Sequence, residues 1–102
     1  MADAYVALLF VHLHFPEAGS LKAKRKDLAS VKAQLHGRMG CAVAEVDHQD
    51  LWQRATLAVS LTGGSVAVLE RAVDGVERFL RGRFPETCRV ERTLRSYDEV
   101  WD

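Results

Sequence analysis

The sequence predicts one α+β domain in which strands and helices follow one another in the order β-α-β-β-α-β. Three observations support this prediction. A chain of 102 residues has the size of a single domain. Hydrophobic residues make up 48% and charged residues 27%, which is the balance of a folded protein rather than a disordered one. Apolar residues recur with a period of two in some segments and of about 3.6 in others, which distinguishes strands from helices.

The first strand is predicted over residues 4–15, where apolar side chains occupy both alternating phases. That pattern is typical of a central strand covered on both faces. The first helix begins at Leu21 and ends near Gly37 and Gly40, with Ser20 as its N-cap. Its apolar face is marked at helical spacing by Leu28, Val31 and Leu35.

The second and third strands are predicted over 41–47 and 51–62, on either side of a short polar connection. In the third strand polar and apolar residues alternate, so one of its faces belongs to the core. Gly63, Gly64 and Ser65 end this strand and could cap the second helix, which Gly82 and Pro85 end. Its apolar stripe consists of Leu69, Ala72, Val73, Val76, Phe79 and Leu80.

The last strand is predicted over 87–96, and residues 96–102 form a C-terminal tail of the single domain, 1–102. This element order is the split β-α-β arrangement of ferredoxin-like domains. Right-handed crossovers give an antiparallel sheet of order 4-1-3-2 with both helices on one face. In this topology three separate segments meet at one edge: 14–25, 47–54 and 82–86.

Two segments are similar to a known family. Ser-Leu-Lys-Ala-Lys-Arg at 20–25 and Val-Ala-Glu-Val-Asp-His-Gln-Asp-Leu-Trp-Gln-Arg-Ala at 43–55 resemble the YlxP-like bacterial proteins, a family of unknown function. The resemblance implies a ferredoxin-like fold and a loose link to RNA biology, and it carries over no catalytic residue. Phe10 and His12 stand where carboxylates are expected in many relatives, and the tail is additional.

The start of the first helix is a candidate phosphate site. Ser20 caps the helix, and the cluster Lys22, Lys24 and Arg25 follows it. Cations oppose the helix dipole there, whereas a bound phosphate would be held by free backbone amides and by these side chains. The alternative is a solvated face paired with Asp27 or Glu17. A small anionic ligand at this helix N-terminus is therefore one functional hypothesis.

The connection between the second and third strands is a candidate recognition surface, formed by Asp47, His48, Gln49, Asp50, Trp52 and Arg54. Trp52 could stack on a base and Arg54 could reach a phosphate. The alternative for the polar residues is a turn whose side chains cap its own backbone amides. The alternative for Trp52 is that its indole covers the core. If the edges meet as predicted, Arg25 or Lys22 should lie within salt-bridge or water-bridge reach of Asp47 or Asp50.

Metal binding and catalysis are minor alternatives. His12 and His14 share a strand face and could bind a metal with His48 or Asp50, although the strands are not adjacent. For catalysis, Glu45 and Asp47 would share a strand face, and Ser20 or Cys41 could be the nucleophile. No phosphate-binding loop, dinucleotide fingerprint or zinc ligand set is present in the sequence. The sequence therefore predicts no catalytic residues, no metal and no cofactor.

The open sheet face is a candidate oligomer interface. Leu8 and Phe10 lie on the phase of the first strand that the helices do not cover, and Ala58 extends this strip on the third strand. Such a surface normally finds a partner, and a second copy across a two-fold axis is the commonest solution. The alternative is that Tyr97 and Trp101 of the tail fold back over it.

Composition narrows the remaining possibilities. Fourteen basic and fourteen acidic residues give no net charge, which excludes a polycation mode of nucleic-acid binding. Two separated cysteines favour a reducing, cytoplasmic setting, and the N-terminal apolar run is too short to span a membrane. The leading hypothesis is a non-enzymatic binding module for RNA or a ribosome-associated partner. A homo-oligomeric structural protein is the competing one.

Overall fold

The computed structural model describes residues 3–101. Four strands form one antiparallel sheet of order β2-β3-β1-β4, which from the opposite edge is β4-β1-β3-β2. The central strand β1 pairs with both neighbours along nearly its whole length. In chain order the elements are β1 (Tyr5–His14), α1 (Leu21–Gly37), β2 (Ala42–Asp47), β3 (Arg54–Gly63), α2 (Val66–Arg83), β4 (Cys88–Ser96) and α3 (Tyr97–Val100).

The core lies between one face of the sheet and the helices α1 and α2. Alternate residues of β1 and β3 and one face of each helix are buried there, which removes their apolar surface from water. In α2 this face consists of Leu69, Val73, Val76 and Leu80. Ala72, which was predicted to belong to it, is exposed, and Phe79 is only partly buried. The other phase of β1 faces away from the helices, so Leu8 and Phe10 remain 43% and 44% exposed. Within residues 3–101, no helix is both long and apolar enough to cross a membrane.

Ser20 caps α1 as predicted, and within the segment 63–65 that was expected to cap α2 the cap is Ser65. The Ser20 hydroxyl accepts a hydrogen bond from the Ala23 amide at 3.1 Å, and Ser65 accepts one from Val68 at 3.2 Å. The predicted tail contains a third helix, α3, which the sequence analysis missed. It is four residues long and none of its residues is buried. A capping box between Ser96 and Glu99 stabilises its N-terminus.

A bulge in β2 corrects the expected placement of two carboxylates. Glu45 and Asp47 were expected to share a strand face, but the register shifts between them. Glu45 lies opposite Leu57, whose side chain belongs to the core face. Asp47 lies opposite Thr56, whose side chain is on the open face beside His12. An extra residue in one strand changes the side to which the following side chains point. The two carboxylates therefore do not form a pair.

Candidate functional site

The three segments predicted to meet at one edge do meet. The backbone amide of His14 donates to the carbonyl of Thr87 at 3.0 Å, and that of Phe15 donates to Gln53 at 2.8 Å. The buried rings of Phe15 and Phe84 pack edge to face, with centroids 5.4 Å apart. Residues from the end of β1, the β2–β3 loop and the α2–β4 loop thus form one continuous surface.

Lys24 joins the start of α1 to the β2–β3 loop. Its side chain is fully buried, although lysine is almost never buried without partners. The ammonium lies 3.4 Å from Glu45 Oε2, and that carboxylate oxygen has no hydrogen-bond partner of its own. The three N–H groups of the ammonium also face the backbone carbonyls of His48 at 2.8 Å, Leu51 at 2.6 Å and Arg54 at 2.9 Å, and the Gln49 carbonyl lies farther away at 3.5 Å.

This burial corrects the predicted role of Lys24 as a phosphate contact. The residue lies four positions before Leu28 and therefore on the buried face of α1, where no solvent-borne ligand reaches it. Lys22 and Arg25 are exposed, as a solvated basic cluster requires. The strand β3 begins at Arg54 rather than at 51, and the Leu51 carbonyl accepts from the Lys24 ammonium instead of from a neighbouring strand.

The expected ion pair across the edge is absent from the described part of the chain. Among residues 3–101, no ion pair within 4.0 Å joins Lys22 or Arg25 to Asp47 or Asp50. The direct form of that expectation is therefore wrong. The contact between the two segments is made by Lys24 instead.

Trp52 lies on the surface of the β2–β3 loop. Its side chain is 53% exposed, so the interpretation of this residue as a lid on the core is wrong. Trp52 and Arg54 line one open cavity of about 440 Å³, together with His14, Leu51 and Gln53. This arrangement places an aromatic face and a guanidinium within one groove. The neighbouring polar residues Asp47, Gln49 and Asp50 are exposed at the rim of the loop.

A second cavity of about 230 Å³ adjoins the first and shares His14 and Arg54 with it. Its polar lining also includes His12, His48, Glu86 and Arg89. Sequence reasoning found neither Glu86 nor Arg89. Arg89 lies opposite His12 on the neighbouring strand, so only the register of β1 against β4 could have placed it at this cavity.

His12 and Arg89 hold one carboxylate beside this cavity. His12 Nε2 donates to Glu91 Oε1 at 2.8 Å, and Arg89 donates to the same oxygen at 2.9 Å. The hydrogen bond from His12, with the charge and hydrogen bond of Arg89, holds the pKa of Glu91 below its ordinary value. The other ring nitrogen of His12 lies 3.4 Å from the Thr56 hydroxyl. This cluster extends the site from the loop onto the open sheet face.

The two non-glycine residues with left-handed backbone among the described residues both line the second cavity. His48 has φ 63° and Glu86 has φ 65°. Such conformations cost on the order of 1–3 kcal/mol each and persist only where the surroundings hold them. At His48 the carbonyl accepts hydrogen bonds from Lys24 at 2.8 Å and from the Leu51 amide at 3.1 Å, and the His48 amide donates to Asp47 Oδ1 at 2.8 Å.

The structure assigns other roles to the two candidate nucleophiles and groups no metal ligands in the part of the chain that it describes. Within residues 3–101, no group of three or more histidine, cysteine or acidic side chains is arranged to hold a metal ion. The Ser20 hydroxyl caps α1, and burial raises the pKa of the Cys41 thiol, which disfavours the reactive thiolate. The geometry provides no activated nucleophile at these positions.

The C-terminal tail does not cover the open sheet face. Tyr97 and Trp101 pack against each other with ring centroids 6.0 Å apart and remain 59% and 73% exposed. The amide of Tyr97 is bonded to the Ala4 carbonyl at 2.8 Å, which keeps α3 beside the start of β1. Leu8 and Phe10 are left exposed.

Comparison with known proteins identifies the family. Residues 6–92 match the family model described as Protein of unknown function (DUF503). The chain belongs to the DUF503 family. It is also similar to the Uncharacterized protein YlxP of Bacillus subtilis (strain 168), with 31% identity over 78 residues, which cover 76% of this chain and 80% of that protein. The resemblance inferred from the sequence is thereby confirmed.

Two solved structures have a similar fold. The de novo designed protein Foldit4 superposes with a TM-score of 0.58 at 12% identity, over 90% of this chain and 96% of its own. The VAO-type flavoprotein from Myceliophthora thermophila C1 gives 0.55 at 18% identity, over 98% of this chain and only 19% of its own. At such identities the likeness concerns the α+β fold alone.

Proposed function

We propose that this DUF503 protein is a non-enzymatic, cytoplasmic module that binds single-stranded RNA at the end of its sheet. The observation that carries the proposal is the exposed indole of Trp52 beside the Arg54 guanidinium in one groove. Stacking of a base on an aromatic side chain contributes about 1–3 kcal/mol, and arginine provides a charge-assisted hydrogen bond to phosphate. Together, the indole can bind the base and the guanidinium can bind the phosphate of one nucleotide.

The loop that carries Trp52 is held in place before any ligand arrives. Lys24 fixes three carbonyls between residues 48 and 54, so binding does not have to order this segment. Preorganisation of this kind improves affinity because less conformational entropy is lost. We take this rigid loop as support for a binding role rather than for a flexible surface turn.

The strand arrangement supports the same proposal. We assign the domain to the ferredoxin-like class, in which a four-stranded sheet packs its helices on one side only. RNA-recognition domains built on such a sheet stack bases on aromatic residues of the uncovered face. Phe10 occupies that face on the central strand β1 and is exposed. It offers a second stacking position on the open face, four residues before the end of β1 that borders the loop. Both cysteines are free, which is consistent with a cytoplasmic setting.

Tryptophan fluorescence tests the proposal directly. The chain has two tryptophans, so the variant Trp101→Phe leaves Trp52 as the only indole. Addition of a decauridylate strand should quench this fluorescence, and the affinity should fall as salt rises. In the same background, Arg54→Ala should weaken binding and Arg95→Ala, a matched exposed arginine at the far end of β4, should not. Absence of quenching at low salt would refute the proposal.

A second candidate function, homodimerisation, is favoured by the exposed strip on the open face. Phe10 lies directly opposite Ala58, which in turn lies opposite Ala44, so a large ring stands beside a shallow row of small side chains. A two-fold axis would seat each ring on the alanines of the other copy. Sedimentation at micromolar concentration should then show a dimer that Phe10→Asp dissociates. A monomer of 11.4 kDa would contradict this function.

A further inference from the structure

Three of the four histidines of the chain line the same cavity of about 230 Å³. His12 and His14 come from β1, whereas His48 comes from the β2–β3 loop. The fourth histidine, His36, lies in the last turn of α1 and contacts the Cys41 carbonyl at 3.1 Å. Histidine changes its charge between about pH 5 and 8. The convergence of three imidazoles therefore makes the charge of this cavity depend on pH near neutrality.

The fixed charges around the cavity nearly cancel when the imidazoles are neutral. Arg54 from β3 and Arg89 from β4 supply two positive charges. Three carboxylates oppose them: Glu86 lines the cavity, Glu91 contacts Arg89 at 2.9 Å, and Asp47 lies 3.8 Å from His48 Nε2. Without protonated histidines the site therefore has no excess positive charge with which to hold an anion.

Protonation of the imidazoles reverses this balance. Three added positive charges would face a cavity whose two guanidinium groups are already in place. Glu91 stays ionised through this range, because His12 and Arg89 hold its pKa below the ordinary glutamate value. His12 Nδ1, which lies 3.4 Å from the Thr56 hydroxyl, would become a hydrogen-bond donor on protonation. The added charges and the new donor favour an oxyanion, whereas the charge that Glu91 retains opposes it; five positive charges then face three carboxylates.

We infer that this cavity binds a phosphate group of the RNA strand and that protonation of its histidines raises the affinity as the pH falls from 8 to 5.5. This inference rests on the proposed RNA binding. The groove of Trp52 shares His14 and Arg54 with the cavity, so a base stacked on the indole leaves its phosphate beside the imidazoles. The ligand class is thus a phosphodiester of a single strand rather than an uncharged base.

The experiment measures binding of decauridylate to the Trp101→Phe protein at pH 5.5, 6.5, 7.5 and 8.5, at one ionic strength. Affinity should rise about tenfold between pH 8.5 and 5.5. This is the gain expected when one neutral hydrogen bond to the phosphate becomes a hydrogen bond from a charged donor. The triple variant His12→Gln, His14→Gln and His48→Gln should bind with the same affinity at every pH. The matched control His36→Gln should keep the full dependence, since His36 lies outside the cavity.

Two further arms keep the test decisive. If the triple variant does not fold, the single variant His14→Gln provides the test. His14 is exposed, so this variant should fold normally and should lose part of the pH dependence of binding. A decauridylate with an uncharged methylphosphonate backbone should show no pH effect. RNA binding that does not vary with pH would overturn the inference and leave the proposed function intact. No binding at any pH would overturn both.

Discussion

Replacement of Lys24 by methionine tests the central structural claim about the β2–β3 loop. Methionine keeps the length of the side chain but removes the ammonium, leaving three carbonyls and the Glu45 carboxylate without their donor. Removing one partner of a buried ion pair destabilises a protein by about 3–5 kcal/mol. Glu45 is 20% exposed on its side chain and the loop borders solvent, so we expect a value near the lower end, about 3 kcal/mol.

For a domain of this size, 1 kcal/mol corresponds to a shift in Tm of about 4–8 °C, so Lys24→Met should lower Tm by about 12–24 °C. Urea denaturation followed by circular dichroism measures the free energy of unfolding itself. The matched control is Lys22→Met, an exposed lysine in the same helical turn, which should change it by less than about 0.5 kcal/mol. The double variant Lys24→Met with Glu45→Gln should recover part of the loss, because it removes the unpaired carboxylate. A Lys24→Met protein within 1 kcal/mol of the original would refute the reasoning.

Three other outcomes are expected. Replacing Lys22 and Arg25 together by alanine should leave urea stability within about 0.5 kcal/mol, because both are exposed; a larger loss would show that they make structural contacts. The pKa of Glu91 is lower in the folded protein, so its stabilisation is complete above about pH 4.3 and is lost as the pH falls through the folded-state value. Glu91→Gln should therefore flatten the fall of the urea midpoint below that pH, and an unchanged acid profile would contradict this. Burial raises the pKa of Cys41, so iodoacetamide should modify it slowly at pH 7.5 in the native protein and rapidly in urea; equal rates would contradict its burial.

Local signals in the sequence were sufficient for most of the fold. Ser20 and Ser65 each precede an apolar stripe of helical period, and both act as the N-caps that this pattern indicates. The phases of β1 also separate the core from the open face, where Leu8 and Phe10 are exposed. Helix α3 escaped prediction because four residues give no periodicity, and only its capping box could have indicated it.

The candidate site was predictable only in part, because it depends on contacts between strands. The sequence indicated that the β2–β3 loop would lie near the start of α1, and it does. It did not indicate Arg89, whose place beside His12 follows from the register of β4. Glu45 and Asp47 were misplaced because a one-residue bulge reverses the alternation of side chains and leaves no sequence signature here.

The position of Lys24 changes where affinity for an anion should come from. The basic run at the start of α1 suggested a phosphate site at that helix end, yet its middle member is buried and its charge is compensated by Glu45 and the loop carbonyls. What remains there is Lys22 and Arg25 on a solvated surface, where isolated charges are screened by salt. The sheet end differs because Arg54, although exposed, lines a cavity together with Arg89 and three imidazoles. The buried lysine therefore acts on the proposed site only indirectly, since it holds the loop that carries His48 and Trp52.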